Sequence, residues 1–184
     1  YHIHEAYPNK KIHNRIIFKI IEYSANKIFC VSNIVKIQFK SNKAKIMSNC
    51  LHPSFPKKTL DQRLKKNNPK KILMISSLKK YKGIFTFCEL ASSMINYDFT
   101  LIISSSSAEI NKVLFKYKSI QNLRIISSQK DITPFLNCNG IMLNLTDFNE
   151  VIETFGLTIL EGLSYGLPGI VPIKSGVTDL INHN

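Results

Sequence analysis

The stretch KILMIS, residues 71–76, decides the fold class of this 184-residue chain. Its apolar side chains follow one another without polar alternation, as in a strand that is buried on both faces. Single helical segments separate it from similar short runs further along the chain. This alternation predicts an α/β fold with a Rossmann-like parallel sheet covered by helices on both faces. The further strands are predicted over 99–104, 123–126, 141–145 and 169–172, and the helices over 84–94, 108–117, 131–137 and 155–165.

The region before Pro69 follows a different pattern. Short strands are predicted over 27–32 and 44–49, with a short helix over 35–40. A Lys- and Asn-rich stretch between prolines then offers little apolar surface to bury, which is typical of a linker. The domains are therefore predicted as 1–53, the end of an N-terminal domain; 54–69, a linker; and 70–184, an incomplete C-terminal domain.

Charge is distributed unevenly along the chain. The net charge is +13, and residues 1–70 hold 15 Lys and Arg against 3 Asp and Glu. A basic front half suggests an anionic partner, either a membrane surface or a nucleic acid. The alternative is compositional, because Lys outnumbers Arg 22 to 3 throughout.

The cysteines and histidines show no metal-binding or disulfide pattern. Cys30, Cys50, Cys88 and Cys138 are widely spaced, and the five histidines form no pair at helical spacing. We therefore expect a reducing, cytoplasmic setting and no metal site. No apolar run is long enough to span a bilayer.

Two glutamates eight residues apart mark the candidate site. Glu153 precedes the helix predicted over 155–165, and Glu161 lies two turns into it. Thr154 is a suitable N-cap, and the amino end of a helix favours anionic ligands. In parallel sheets of this type, ligands bind at the carboxyl ends of the strands. The loops 76–82, 104–107, 146–154 and 174–177 are therefore predicted to share one rim.

The register of Glu153, Phe155-Gly156, Glu161-Gly162, Gly166 and Pro168 resembles the family-4 glycosyltransferases of group 1 type, in the retaining GT-B class. The resemblance covers 71–181 strongly and the residues before Pro53 weakly. It implies a GT-B donor-binding domain with a remnant of a second α/β domain. The chain is expected to be a fragment that is inactive by itself.

The resemblance also implies roles for individual residues. Glu153 would contact the hydroxyls of the donor sugar, and Glu161 those of the ribose. Phe155 and Gly156 would bring backbone N–H groups to the donor. Lys82 would neutralise the donor diphosphate, so Glu153 and Lys82 are the expected catalytic residues. The remaining expected substrate-binding residues are Leu157, Thr158, Ser77, Ser175, Gly176 and Val177.

The chain departs from the family pattern at two turns. Ser76-Ser77 replaces a Gly-Arg pair, so one expected cation is missing. Three alternatives follow: Lys79 or Lys80 compensates, a serine hydroxyl is used in its place, or the activity is weakened. The stretch 104–107 consists of four serines in place of a glycine-rich turn. Serine amides and hydroxyls can bind an anion, though less closely than a glycine turn.

The expected function is transfer of a sugar, a hexosyl group, from a nucleotide-diphosphate donor with retention of configuration. The expected acceptor is a glycan or a lipid-linked molecule of polysaccharide biosynthesis, at the cytoplasmic face of a membrane. No cofactor is expected, because Lys82 and helix amino ends supply the positive charge. One alternative is a non-catalytic nucleotide-sugar-binding relative. The other is a basic nucleic-acid-binding module, although no nucleic-acid recognition motif is present and no nucleic-acid partner is expected.

Overall fold

A computed structural model describes residues 1–4, 12–55 and 68–181 of the chain. These residues form two compact units. The first comprises Tyr1–Leu51, Thr146–Leu157 and Val171–Asn184, and the second comprises His52–Leu145 and Thr158–Ile170. The predicted domain bounds stay a prediction, and most of the predicted linker over 54–69 lies outside the described residues.

The first unit contains a three-stranded parallel sheet in the order β1-β2-β3. The pairing is parallel throughout, so each connection between strands must cross over, and helices provide the two crossovers. Strand β2 is central, with Ile28 and Cys30 fully buried. The elements are β1 His2–Ile3, α1 Ile12–Ser24, β2 Ile28–Cys30, α2 Asn33–Lys36 and β3 Ala44–Ile46, with a 3-10 turn over Gly176–Leu180.

The second unit contains a five-stranded sheet that is parallel at every pairing. Its order is β6-β5-β4-β7-β8. Strand β4 is central and pairs residue for residue with β5, from Lys71 opposite Asp98 to Ser76 opposite Ile103. The strands are β4 Lys71–Ser76, β5 Asp98–Ile103, β6 Leu123–Ile126, β7 Ile141–Leu143 and β8 Gly169–Ile170.

The order of the strands places helices on both faces of this sheet. The chain moves outward from β4 to β6, returns to the other side of β4, and continues to β8. Because right-handed crossovers are the rule, connections running in opposite directions lie on opposite faces. This is the α/β, Rossmann-like fold that the sequence predicts. The helices are α3 Ile84–Ser93, α4 Ser107–Leu114, α5 Thr133–Cys138 and α6 Leu157–Ser164.

Buried aliphatic and aromatic side chains hold α3 against the sheet. Phe87 of α3 and Phe99 of β5 are buried, and their rings meet edge to face at a centroid distance of 5.3 Å. Burial of one such side chain stabilises a fold by about 1.5–3 kcal/mol, and an aromatic pair adds about 0.5–1.5 kcal/mol. Cys88 and Ala91 complete the buried face of α3. The apolar face of the helix predicted over 84–94 is therefore the face that packs on the sheet.

Strand order reverses between β4 and β7, and the loops that follow these two strands meet there. Gly83 follows β4 with φ 77°, a left-handed conformation that favours glycine. A Cβ at Gly83 would overlap the backbone carbonyl of Leu145, which follows β7. Ligands of doubly wound sheets bind at this kind of reversal. The fold therefore places the loop containing Lys82 where a ligand is expected.

Helix α6 begins at Leu157 rather than at the predicted Phe155. Gly156 has φ 76°, so its backbone cannot continue a right-handed helix toward Phe155. Thr154 consequently lies three residues before the helix and is not its N-cap. Phe155 and Gly156 therefore precede the helix instead of forming its first turn.

Candidate functional site

Two turns that contain predicted site residues are hydrogen-bonded within the first unit. The backbone N–H of Gly176 donates to the carbonyl oxygen of Glu153 at 2.7 Å. Ser175 is buried, and its Oγ donates to the carbonyl of Pro172 at 2.8 Å. Glu153 and Gly176 are far apart in sequence, so the position of Glu153 depends on a non-local contact.

Glycine permits the close approach of these turns. A Cβ at Gly176 would overlap the carbonyl of Thr154 and crowd the hydroxyl of Ser32. A Cβ at Gly156 would press on the buried side chain of Val177. The first unit thus brings together six residues that the sequence singles out: Glu153, Phe155, Gly156, Ser175, Gly176 and Val177.

The side chain of Glu153 is half-buried. The Oγ1 of the buried Thr146 donates to Glu153 Oε2 across 3.5 Å, a long hydrogen bond. Each carboxylate oxygen can accept more than one hydrogen bond, so Glu153 can also accept from hydroxyl groups of a ligand.

Glu161 lies on α6 in the second unit and is half-buried. The next residue, Gly162, lies against Met142 of β7, where a Cβ would overlap the Met142 sulfur. Helix α6 is therefore seated on the sheet at Gly162. Burial raises the pKa of the Glu161 carboxyl. Its carboxylate makes no hydrogen bond or ion pair with any residue of the described ranges.

Lys82 ends a 3-10 turn, Lys80–Lys82, that follows β4 in the second unit. The Nζ atoms of Lys79 and Lys82 lie 5.7 Å and 5.8 Å from the ring centroid of Tyr81, within the range of a cation–π contact. Ser77 is half-buried, and its carbonyl accepts from the backbone of Lys79 at 2.8 Å. Two ammonium groups therefore share one aromatic ring at the end of the central strand.

The described residues contain no cluster of three or more His, Cys, Asp or Glu that could hold a metal ion. Within the same ranges, every helix is too short or too polar to cross a membrane. A groove of about 580 Å³ lies at the amino ends of β4, β5 and β6. It is lined by none of the predicted site residues, and ligands of this fold bind at the opposite edge of the sheet.

The comparison with protein families decides the identity of the chain. Residues 56–184 match the family described as glycosyl transferases group 1. The chain belongs to this family. A comparison with curated protein sequences gives no match.

Solved structures of glycosyltransferases share the fold. Anabaena HepE, solved with UDP and glucose, is 15% identical with a TM-score of 0.73 over 100% of this chain and 55% of its own. A glycosyltransferase from Rickettsia africae ESF-5 is 20% identical, with a TM-score of 0.72 over 99% of this chain and 53% of its own. WaaG, involved in lipopolysaccharide biosynthesis, is 14% identical, with a TM-score of 0.62 over 84% of this chain and 46% of its own. The chain thus spans about half the length of these GT-B proteins.

One predicted anion-binding turn of this group 1 glycosyltransferase is already occupied by its own carboxylate. Oε2 of Glu109 accepts from Ser105 Oγ at 2.6 Å, from Ser106 Oγ at 2.8 Å and from the Ser106 backbone at 3.0 Å. The hydrogen bond from Ser105, with those from Ser106, lowers the pKa of Glu109 to about 2. The sequence carries the signal for this arrangement in Ser106-x-x-Glu109, the capping-box spacing.

Proposed function

We propose that this group 1 glycosyltransferase chain binds a nucleotide-diphosphate sugar and belongs to an enzyme that transfers the sugar, a hexosyl group, with retention of configuration. The observation that carries the proposal is the carboxylate of Glu161. It is half-buried, its pKa is raised by burial, and it has no partner among the described residues. A desolvated carboxylate of this kind is characteristic of ligand-binding sites, because adjacent ligand hydroxyls can supply the missing hydrogen bonds.

The other site residues have complementary roles in this proposal. Glu161 accepts from the ribose hydroxyls, and Glu153 accepts from the hydroxyls of the donor sugar. Lys82 neutralises the diphosphate as negative charge develops on the leaving group. Backbone groups of 155–158 and 175–177, together with Ser77, complete the contacts with the donor. No metal or cofactor is required by this scheme, because the protein supplies positioning and positive charge.

Two ammonium groups at the end of β4 support the assignment of the diphosphate. The Gly-Arg pair of the family is Ser76-Ser77 here, which removes one expected cation. Lys79 and Lys82 nevertheless share the ring of Tyr81, at similar distances from its centroid. We assign Lys79 as the second cation because the side chain of Lys80 has no corresponding contact with this ring.

Calorimetric titration of the chain with UDP, GDP and ADP tests the proposal. We expect saturable binding of one nucleotide, and loss of at least about tenfold in affinity in Glu161→Ala, because a hydrogen-bonded carboxylate is worth about 1.5–3 kcal/mol. Glu89→Ala is the matched control, since Glu89 is an exposed glutamate of α3 that is not among the proposed site residues. Absence of binding by the folded chain and by a longer protein that contains it would contradict the proposal.

Retention is tested separately from binding. In a longer protein that contains the chain, the anomeric configuration of the product is compared with that of the donor sugar by NMR. Retention predicts the same configuration at the anomeric carbon. Inversion would contradict the family-4 retaining assignment while leaving the donor site intact.

A specific observation favours a second candidate, a relative that binds the nucleotide sugar without catalysis. The hydroxyls of Ser105 and Ser106 are engaged by Glu109, so this turn presents a carboxylate rather than a vacant anion site. Turnover by a longer protein that contains the chain separates the two candidates. Binding of the donor without any transfer or hydrolysis would favour the second.

Helix α1 supports the proposal of a glycan or lipid-linked acceptor at an anionic membrane surface on the cytoplasmic side. Ile16, Ile20 and Tyr23, spaced for one face of a helix, are 53%, 60% and 92% exposed. Lys19 is exposed beside them, and the first 70 residues are strongly basic. Such a surface suits an interfacial helix, with each basic residue near anionic lipid contributing about 1 kcal/mol.

Vesicle co-sedimentation tests this peripheral attachment. We expect the chain to bind phosphatidylglycerol-containing vesicles and not pure phosphatidylcholine vesicles. Ile20→Asn should weaken the binding several-fold, whereas Ile95→Asn, an exposed apolar residue of the second unit, should not. Equal binding of all variants, or none by the wild type, would contradict the membrane proposal.

A further inference from the structure

An early and a late part of the chain are joined at Asn33 and Asp179. The Asp179 carboxylate accepts from the backbone N–H of Asn33 at 2.6 Å and from Asn33 Nδ2 at 3.2 Å. The two residues are 146 positions apart in sequence, and both belong to the first unit. One carboxylate thus makes two charge-assisted contacts with a single residue. This arrangement fixes the relative orientation of the two residues as well as the distance between them.

Asp179 lies in the same 3-10 turn as the predicted donor-binding residues. This turn covers Gly176–Leu180 and follows the buried Ser175. Thr178 Oγ1 donates to the carbonyl of Ser175 at 2.7 Å, so the turn is internally tied. Holding Asp179 therefore holds the position of 175–177.

The residue before Asn33 also lies against this turn. Ser32 is fully buried, and its Oγ lies so near Gly176 that a Cβ there would crowd it. The backbone N–H of Gly176 meanwhile donates to the carbonyl of Glu153. The turn is thus placed by Ser32 and Asn33 on one side and by the approach to α6 on the other.

We propose that Asp179 and Asn33 are a positioning pair, which presets the turn 175–177 for the diphosphate of the donor. The inference rests on the proposed function, in which this turn contacts the donor. Neither residue needs to touch the ligand. Their effect on affinity comes from pre-organisation, because a turn that is already ordered loses less conformational entropy when a ligand binds.

The test compares four variants by calorimetry with whichever of UDP, GDP or ADP the wild-type chain binds. Asp179→Ala removes both contacts and should raise Kd about tenfold. The Kd of Asp179→Asn should stay within about twofold of the wild-type Kd. Its amide oxygen can accept from the Asn33 backbone, and its amide nitrogen can donate to Asn33 Oδ1 after that side chain rotates.

An exchange of the two side chains supplies the matched control. Asn33→Asp alone places two carboxylates against each other and should weaken binding by about the same factor as Asp179→Ala. Adding Asp179→Asn to Asn33→Asp restores one donor and one acceptor, and should recover an affinity close to that of the wild type. Recovery by the exchanged pair identifies the interaction between the residues, rather than either residue by itself.

The melting temperature of every variant is measured beside its Kd. A merely structural role would lower the melting temperature and leave Kd unchanged at a temperature where the variant is folded, and this result would overturn the proposal. Failure of the exchanged pair to recover affinity would overturn it as well. If Asp179→Ala does not fold, Asn33→Asp and the exchanged pair decide the question. Failure of the wild type to bind any nucleotide would contradict the proposed function instead.

Discussion

At the scale of single residues, the proposed ligand-binding role of Glu161 opposes its effect on stability. Burial raises the pKa of its carboxyl, so folding favours the protonated acid. The ionised form then opposes folding, an effect that is absent below the pKa of the unfolded chain and complete above the raised pKa of the folded one. The carboxylate that we propose as a ligand contact is thus one that destabilises the ligand-free fold.

Glu161→Gln should therefore be more stable than the wild type at pH 7 and bind the nucleotide at least about tenfold more weakly. Its advantage in melting temperature should vanish below about pH 4, where the carboxyl is protonated in folded and unfolded chains alike. Melting curves across this range, together with titration calorimetry at pH 7, check both parts. A variant that is less stable at pH 7 would show that a protein partner satisfies the carboxylate.

Ser32 presents a different case, a buried hydroxyl that makes no hydrogen bond in the described part of the chain. Ser32→Ala removes an unsatisfied group and should leave the free energy of unfolding within about 1 kcal/mol of wild type, or raise it. Gly176→Ala supplies the contrast, because its Cβ meets backbone atoms, and it should cost about 1–3 kcal/mol. Denaturant unfolding of both variants measures the difference. A loss above 2 kcal/mol in Ser32→Ala would show that the hydroxyl has a partner.

At the scale of elements, the capping box of α4 makes the amino end of this helix sensitive to acid. The pKa of Glu109 is lowered to about 2 by hydrogen bonds from Ser105 and Ser106. Its stabilising effect is complete above the unfolded pKa, near 4.5, and is lost as the pH falls toward 2. We expect Glu109→Gln to melt at a lower temperature than wild type at pH 6, and the difference to disappear near pH 2.

Circular dichroism melts of the two proteins across this pH range provide the measurement. Glu89→Gln is the matched control, an exposed glutamate on the neighbouring helix α3 for which the melting temperature should be unchanged. A constant difference between Glu109→Gln and wild type at all pH values would mean that the charge of the carboxylate is irrelevant to the cap.

The elements show which features of the fold the sequence predicts. All five strands of the second unit are found where short apolar runs predict them. The signature is clearest in β4 and β5, where consecutive residues are buried on both faces. Helix α6 begins two residues later than the sequence predicts, since Gly156 has a positive φ, which the apolar pattern of the sequence does not reveal. The glutamate pair and Lys82 could be singled out only through the resemblance to a family motif, since a pair of glutamates eight residues apart is common by chance. The carboxylate of Asp179, whose partner lies 146 residues away, could not.

At the scale of the whole molecule, the four cysteines divide into two classes. Cys30 and Cys88 are fully buried, one in each unit, whereas Cys50 and Cys138 are exposed. Burial, with a smaller effect from Glu89, raises the pKa of Cys88 to about 12, and burial also raises the pKa of Cys30. Because the thiolate is the reactive form, both buried thiols should be inert in the folded protein.

Titration with a chromogenic disulfide reagent should accordingly detect two reactive thiols in the native chain and four in denaturant. A variant with Cys50→Ser and Cys138→Ser should show none until it unfolds. Rapid reaction of either remaining cysteine under native conditions would indicate that its unit opens locally.

The first unit is built from three stretches of sequence, so a cut between the first and second stretches divides this unit between two pieces. A break within 56–67 gives one piece with the three-stranded sheet, and another with the segments 146–157 and 171–181 that complete the same unit. Neither piece carries a complete first unit. The two pieces should therefore associate non-covalently and form the complete first unit together. Split halves of this protein would thus serve as a complementation pair, whose reunion depends on Asn33 in one half and Asp179 in the other.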